Sequence, residues 1–311
     1  MTPVSRYVFG PVASRRLGRS LGVDVVPAKV CTLDCVYCEI GRTTTKTVER
    51  RPYVPIEEVL AEVQARLDQG VQADTITITG SGEPTLNSQL GQIIDRIKGI
   101  SAIPVALITN GTLFCRQDVR YDAARADLVM PTLDAADQST FEAIHRPHSE
   151  ITIETVVEGL VAFRSQYKGP IWLEVFLIAD VNTSDDHIQR LKTLIARVRP
   201  DKVQINTAVR PTADPDVRRP SAAQLRAIAL RIGPQCEVIA DAPRLPGTPD
   251  SGVRPQDILA LLRRRPCTLS QLCSGLGVTP DEVAPHVEVL VQTRRIIAEV
   301  DEGEVVYRTP S

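Results

Sequence analysis

The sequence predicts an α/β protein: a partial or full (β/α) barrel followed by a small winged helix-turn-helix domain. Three observations predict it. Between residues 21 and 242, short β-branched runs alternate with longer segments of helical period, which implies parallel strands joined by crossover helices. Polar residues gather directly after those runs, where a barrel keeps its chemistry. A break at 241–255, rich in Pro, Gly and Asp, then precedes three helical segments and a hairpin.

In order, the strand segments are LGVDVVP, TITITG, PVALITNG, DLVMPTLD, IWLEVFLI, KVQINTAV and CEVIAD. The helical segments between them are IEEVLAEVQARLDQG, LNSQLGQIIDRIKGI, STFEAIHRP, TIETVVEGLVAFRSQY, HIQRLKTLIARVRP and SAAQLRAIALRIG. Such a run of units suits a barrel better than a short doubly wound sheet. After the break, PQDILALLRRR, TLSQLCSGLGV and TPDEVAPHVEVLVQT read as helices, the third with Thr279 as N-cap. RIIAEV and EVVYRT flank a tight DEGE turn. The expected domains are a barrel over 1–245, a linker over 246–255 and a winged helix over 256–311.

The chain has 311 residues, 43% hydrophobic and 24% charged, an ordinary globular balance that excludes disorder as the main state. A formal net charge of -2 supplies no general pull toward nucleic acid or anionic membrane. MTPVSRYVFG lacks the charged-then-apolar pattern of a leader, and no apolar run is long enough to span a membrane. The expected location is cytoplasmic. Seven cysteines, odd in number and unevenly spread, argue against a disulfide framework.

Three of them stand together in CTLDCVYC, at Cys31, Cys35 and Cys38, directly after a strand. A structural zinc site closes with four ligands; here the next cysteine is Cys115 and every histidine lies beyond residue 140. A redox dithiol needs only Cys35 and Cys38 and leaves Cys31 without a role. An iron–sulfur cluster held by three thiolates leaves one iron open to a cofactor or substrate. Cys115, Cys236, Cys267 and Cys273 make no second group and read as buried thiols.

The C-x3-C-x2-C spacing with Tyr37 before the third cysteine resembles the signature of the radical S-adenosylmethionine (SAM) superfamily. TGSGEPTL, residues 79–86, is similar to that superfamily's glycine-glycine-glutamate element. The longer stretch FGPVASRRLGRSLGVDVVPAKVCTLDCVYCEIGRT resembles Fe–S oxidoreductases related to the wybutosine-base synthases of tRNA. The resemblance implies a [4Fe-4S] cluster on Cys31, Cys35 and Cys38, with SAM on the fourth iron. It implies reductive cleavage of SAM to a 5′-deoxyadenosyl radical that abstracts hydrogen from a substrate, the cofactor supplying the difficult chemistry. It also implies an external electron donor such as a flavodoxin or ferredoxin. The wybutosine-type reaction uses a second cluster on earlier cysteines; none precedes Cys31, so that reaction is not expected.

By the same resemblance the SAM contacts are Tyr37, Gly80, Gly82, Glu83, Asn110 and Asp134. Each has a plainer reading. Gly80 and Gly82 are glycines because a bound ligand needs close approach to the backbone, or because the turn is tight. Tyr37 could be a core aromatic, Asn110 the turn residue of Asn-Gly, and Asp134 the N-cap of AADQSTFEAI. Glu174, alone in the apolar IWLEVFLI, faces inward toward SAM or substrate, or outward to water; Asn182 and Asn206 are weaker cases. His145 and His148 in HRPH, with Arg15 and Arg16 in SRRLGRS (Arg19 beside them), complete the candidate substrate contacts.

From Asp250 onward the chain carries seven arginines against nine acids. The expected recognition helix has Asp281, Glu282 and Glu288 and neither Lys nor Arg, the wrong charge for DNA. The expected function is a radical SAM enzyme acting on RNA, a peptide or a protein. The rival reading is an iron–sulfur sensor that regulates through the winged helix.

Overall fold

The computed structural model describes residues 6–210, 212–240, 253, 255–263, 266–276, 278–301 and 303–310. In chain order the strands and helices are β1 (Val8–Ser14), β2 (Gly18–Asp24), β3 (Val30–Cys31), β4 (Thr45–Lys46), α1 (Ile56–Asp68), β5 (Thr75–Thr79), α2 (Leu90–Ile100), β6 (Val105–Ile108), α3 (Gln117–Ala123), β7 (Leu128–Met130), α4 (Gln138–His145), α5 (Ile153–Gln166), β8 (Trp172–Phe176), α6 (Asp185–Val198), β9 (Lys202–Asn206), α7 (Ala222–Ile232) and β10 (Cys236–Val238). Beyond the break come α8 (Pro255–Leu262), β11 (Cys267–Thr268), α9 (Leu269–Leu276), α10 (Pro280–Gln292), β12 (Ile297–Asp301) and β13 (Glu304–Arg308). The expected linker, 246–255, lies outside the described residues except for Val253 and Pro255.

The chain forms two compact units that cut across the sequence order. One contains Asp24–Ile56 and Ile78–Ala242. Within it the end of β5, β6 and β7 follow one another in sheet order, and β8, β9 and β10 do the same. β6–β7, β8–β9 and β9–β10 are parallel, and parallel bridges at Val129–Ile171 and Thr132–Glu174 join the two sets. This is the strand succession of a (β/α) barrel left open: among the described residues β10 pairs only with β9.

Local chemistry explains these elements. Alternate residues of β8 and β9, Leu173, Val175, Val203 and Ile205, are fully buried, the pattern of strands covered by crossover helices. Four helices, α4 to α7, start at side-chain caps: Asp137 accepts from Thr140 N, Thr152 from Thr155 N, Ser184 from His187 N and Ser221 from Gln224 N. The cap of α4 is therefore Asp137; Asp134 does not serve it.

The other unit contains Met1–Val23, Glu57–Thr77 and Pro243–Ser311. Two contacts explain why its parts are so distant in sequence. Glu62 of α1 accepts backbone N–H bonds from Arg6, Tyr7 and Val8. Val12 of β1 packs on a core that includes Ile258, Leu272, Val283, Val287 and Leu290. β2 overlaps the expected strand LGVDVVP, and it pairs antiparallel with β1, which the periodicity argument left out. In the C-terminal part β13 pairs antiparallel with both β11 and β12, and α10 opens with a capping box between Thr279 and Glu282.

Candidate functional site

The cysteine loop runs from β3 and is held to the ends of several later elements. Asp34 N and Val36 N donate to His145 O and Ile144 O, and His148 N donates to Thr32 O. Ala213 N donates to Cys38 O and Asp214 N to Val36 O, tying the loop to the segment after β9. The loop's backbone is thus fixed by segments more than 100 residues away.

The three sulfurs sit in different surroundings. Cys31 Sγ accepts from Leu33 N at 3.5 Å and from Asn110 Nδ2 at 3.6 Å. Burial pushes its thiol up to about 12, helped by the charges of Glu83 and Cys38. Cys35 Sγ lies 3.2 Å from His145 Nδ1, and burial first, then Cys31 and Cys38, push its thiol well above the ordinary value. Burial also raises Cys38. The three are close enough to oppose one another's ionisation, yet among the described residues no three His, Cys, Asp or Glu converge on a single ion. Sulfurs so arranged suit a multi-iron cluster, in which each thiolate takes its own iron and the metal charge offsets their burial.

Around the loop a second set of groups is hydrogen-bonded mainly within the chain itself. Glu83, 2% exposed, accepts at Oε1 from Thr85 N, Thr85 Oγ1 and Thr109 Oγ1 and at Oε2 from Asn110 N. Burial raises its carboxyl, and those hydrogen bonds pull it back down. Asn110 Nδ2 also donates to Thr32 Oγ1 at 2.8 Å, while its Oδ1 accepts from Thr112 N and Oγ1. Asn110 therefore braces Cys31, and its amide is fully used. The glycines have an internal cause too. A Cβ on Gly82 would lie 2.0 Å from Val30 O, and one on Gly80 2.7 Å from Gly82 O. Ser81 between them is anchored by two bonds to Asp24.

Tyr37 is a packed aromatic with one polar contact. It stacks on Phe176 at 3.9 Å between ring centroids, and its hydroxyl donates to Asp134 Oδ2 at 2.5 Å. Asp134, 1% exposed, accepts from Phe176 N at Oδ1 and has His145 Nε2 3.5 Å from Oδ2. Burial raises the Asp134 carboxyl well above its ordinary value and pushes the His145 imidazole down to about 3. The imidazole is therefore neutral near pH 7. With Cys35 ionised as a ligand, His145 Nδ1–H would be the donor to sulfur, leaving Nε2 facing Asp134 Oδ2. The result is a continuous chain Cys35–His145–Asp134–Tyr37.

Several sequence expectations change here. His145 is 3% exposed and lies against Cys35 and Asp134. His148 is partly exposed beside Glu150. Asn182 is wholly buried, donating to Asp134 O and Phe176 O. Arg15 and Arg16 lie in the β1–β2 turn, in the unit that does not hold Cys31, Cys35 and Cys38, and Arg19 there makes a bidentate pair with Asp74. Cys115 is exposed and Cys236 half-buried, whereas Cys267 and Cys273 are buried as expected; all seven cysteines are free thiols. Thr32, Thr112 and Ser81 were not singled out in the sequence. A lone Asp24 within LGVDVV was the one available signal for the Ser81 anchor.

Comparison with known proteins agrees with this geometry. The profile of the Radical SAM superfamily matches residues 25–192. The chain is 34% identical over 306 residues to GTPase Obg of Brachyspira hyodysenteriae; the match covers 97% of this chain but only 45% of that relative. It is 35% identical over 210 residues to a UPF0026 protein of Helicobacter pylori strain J99, covering 66% of this chain and 67% of the relative. Among solved structures, a radical SAM methyltransferase from Sphaerobacter thermophilus has a similar fold, with a TM-score of 0.55 at 19% identity. That match covers 70% of this chain and 66% of the methyltransferase. No helix among the described residues is long and apolar enough to cross a membrane.

Proposed function

The chain belongs to the radical SAM superfamily and to the UPF0026 proteins, and from that premise we propose a cytoplasmic enzyme that removes a hydrogen atom from an RNA, peptide or protein substrate. Superfamily cofactors are a [4Fe-4S] cluster and SAM. The observation that carries the reading is the cysteine loop: three half-buried free thiols, with Asn110 bracing Cys31 and His145 bracing Cys35.

Cys31, Cys35 and Cys38 would hold the cluster. The 80–83 turn and Tyr37 stand beside it as the contacts for SAM, and Glu83 Oε2 keeps acceptor capacity beyond its bond from Asn110. Asn110 and Asp134 support the loop from beneath in this reading. When bound and supplied with one electron by a flavodoxin- or ferredoxin-like donor, these cofactors generate a 5′-deoxyadenosyl radical. The chain's own part is to fix the loop that carries the three sulfurs, donate hydrogen bonds to two of them and anchor Val36 and Tyr37 of that loop in an apolar cluster with Ile144 and Phe176. Seven free thiols suit a reducing compartment.

Residues 255–310 we read as a winged helix, on the support of three helices and the β11-β13-β12 sheet. Its α10 carries Asp281, Glu282 and Glu288, with Glu282 used in the cap, so DNA is not its partner. The regulator reading has nothing further in its favour.

The test is anaerobic reconstitution with iron and sulfide, then dithionite and SAM. The expected products are 5′-deoxyadenosine and methionine, with cluster absorbance lost in Cys31→Ala, Cys35→Ala and Cys38→Ala. Full iron loading with no 5′-deoxyadenosine would overturn the proposal.

A further inference from the structure

Asn110 stands in a closed ring of side-chain hydrogen bonds with two threonines. Asn110 Nδ2 lies 2.8 Å from Thr32 Oγ1, Thr32 Oγ1 lies 2.8 Å from Thr112 Oγ1, and Thr112 Oγ1 lies 2.7 Å from Asn110 Oδ1. Thr32 follows Cys31 in the cysteine loop, whereas Asn110 and Thr112 follow β6. Both threonines are fully buried, so water does not compete for their hydroxyls.

The ring has one proton order. Thr112 N also meets the amide oxygen, at 3.1 Å, and a backbone N–H can only donate, so that end of the Asn110 amide is oxygen. Because an amide oxygen can only accept, Thr112 spends its hydroxyl proton on Oδ1. Thr112 Oγ1 must then accept from Thr32, and Thr32 Oγ1 accepts from Asn110 Nδ2. Each side chain donates once and accepts once around the ring, an order in which every bond polarises the next. One amide proton is left over, and Nδ2 carries it toward Cys31 Sγ, 3.6 Å away.

We propose that Thr32 and Thr112 are positioning residues for the iron on Cys31: through the ring they lock the Asn110 amide with an N–H, and not its carbonyl, facing the sulfur. That Cys31 carries iron rests on the radical SAM reading; the ring and its proton order do not. A donor at the sulfur favours thiolate over thiol and, with iron bound, favours the reduced cluster, which carries more negative charge. The other donor to this sulfur, Leu33 N at 3.5 Å, is fixed by the backbone. The Asn110 donor depends on side chains. Without the two hydroxyls its amide keeps only the bond from Thr112 N, and its nitrogen is free to swing off the sulfur.

The test uses Thr32→Val and Thr112→Val, which keep the shape and remove the hydroxyl, with Thr32→Ser and Thr112→Ser as rescues. An electron-paramagnetic-resonance redox titration of reconstituted protein without SAM is expected to give a lower midpoint potential in both valine variants and the wild-type value in both serine variants. Iron is expected to pass to a chelator about tenfold faster from the valine variants. In metal-free protein the Asn110 side-chain amide protons, followed by NMR, are expected to exchange slowly with deuterium in the wild type and the serine variants and rapidly in the valine variants. A merely structural role for the hydroxyls would lower stability without moving the potential. Wild-type potentials in the valine variants, equal shifts in the valine and serine variants, or rapid Asn110 exchange in the wild type would overturn the proposal. Where a valine variant holds no cluster, the metal-free exchange decides. Production of 5′-deoxyadenosine by the wild type is measured separately. If it appears while the valine variants keep the wild-type potential, this inference falls and the enzyme reading stands; if the variants behave as expected and none appears, the enzyme reading alone falls.

Discussion

Replacing His145 in two ways separates its two contacts. In Asn the amide nitrogen falls near the position of Nδ1 and keeps the bond to Cys35, 3.2 Å away, while the reach to Asp134 is lost. In Gln the amide falls near Nε2, so the Asp134 contact is kept and the bond to sulfur is lost. A hydrogen bond to a charged group contributes about 1.5–3 kcal/mol. Only the part that grows as the cluster gains an electron enters the midpoint potential, and a third of the bond gives about 0.7 kcal/mol. At ~59 mV per ~1.4 kcal/mol for one electron, that is about 30 mV. The reduced cluster is the more negative form and benefits more from the donor, so His145→Gln is expected to lower the potential by about that amount. His145→Asn should stay close to wild type. The assay is an electron-paramagnetic-resonance redox titration of reconstituted protein without SAM. Equal shifts in both variants, or a rise in His145→Gln, would refute the argument that Nδ1–H acts on Cys35.

Gly82→Ala places a methyl 2.0 Å from Val30 O, backbone that leads straight into Cys31. The cost is expected at about 3 kcal/mol in urea unfolding, with iron content per chain falling as well; unchanged iron would mean the strand yields without moving Cys31. Asp137 caps the helix that ends at His145, accepting from Thr140 N and Ser139 Oγ at 2.8 Å each. Partial burial works against its ionised form, but those bonds and Arg190 hold the carboxyl down at about 2 from 3.8. A depressed carboxyl contributes stability above its unfolded value and loses it as pH falls through the folded one. Near neutral pH the contribution is about 2 kcal/mol by linkage, and Asp137→Ala should cost about 1–2 kcal/mol. The gap between wild type and variant should narrow from pH 5 toward pH 2 in urea melts; a constant gap would rule out the cap's charge as the cause.

The strand and helix order was legible because covered parallel strands and amphipathic helices leave strong local patterns. β8 and β9 show it: IWLEVF and KVQIN are apolar at every helix-facing position. The short, polar α3 carries only seven residues and no such pattern, and it was missed. β1 was missed for another reason: its Val12 is packed by residues near 260–290, and no local signal announces a partner that far away. The cysteines and the GSGE turn were legible as chemistry, since their residue types and spacing are specific. Their bracing was not. Asn110 reaches Cys31 across 79 residues and His145 reaches Cys35 across 110, and only the return of each strand end to one mouth brings them together.

That geometry also resolves why residues expected to touch a ligand touch the chain. A loop carrying three thiolates has strong internal repulsion and little apolar surface of its own, so it must be held from outside. The open barrel supplies the means, because successive strands end beside one another and each end can offer one group. β6 leads to Asn110 for Cys31, β7 to Asp134, which supports His145 for Cys35, and β8 ends in Phe176 for Tyr37. Each of these bonds uses a polar group that would otherwise be available to SAM or substrate. In the proposed reading, recognition of SAM is then left to what the bracing does not use, Glu83 Oε2 beside the loop. A substitution at Asn110 should therefore disturb cluster retention before it disturbs SAM affinity. Iron content and SAM affinity, measured on the same preparation of Asn110→Ala, check this: SAM affinity lost at full iron content would refute it.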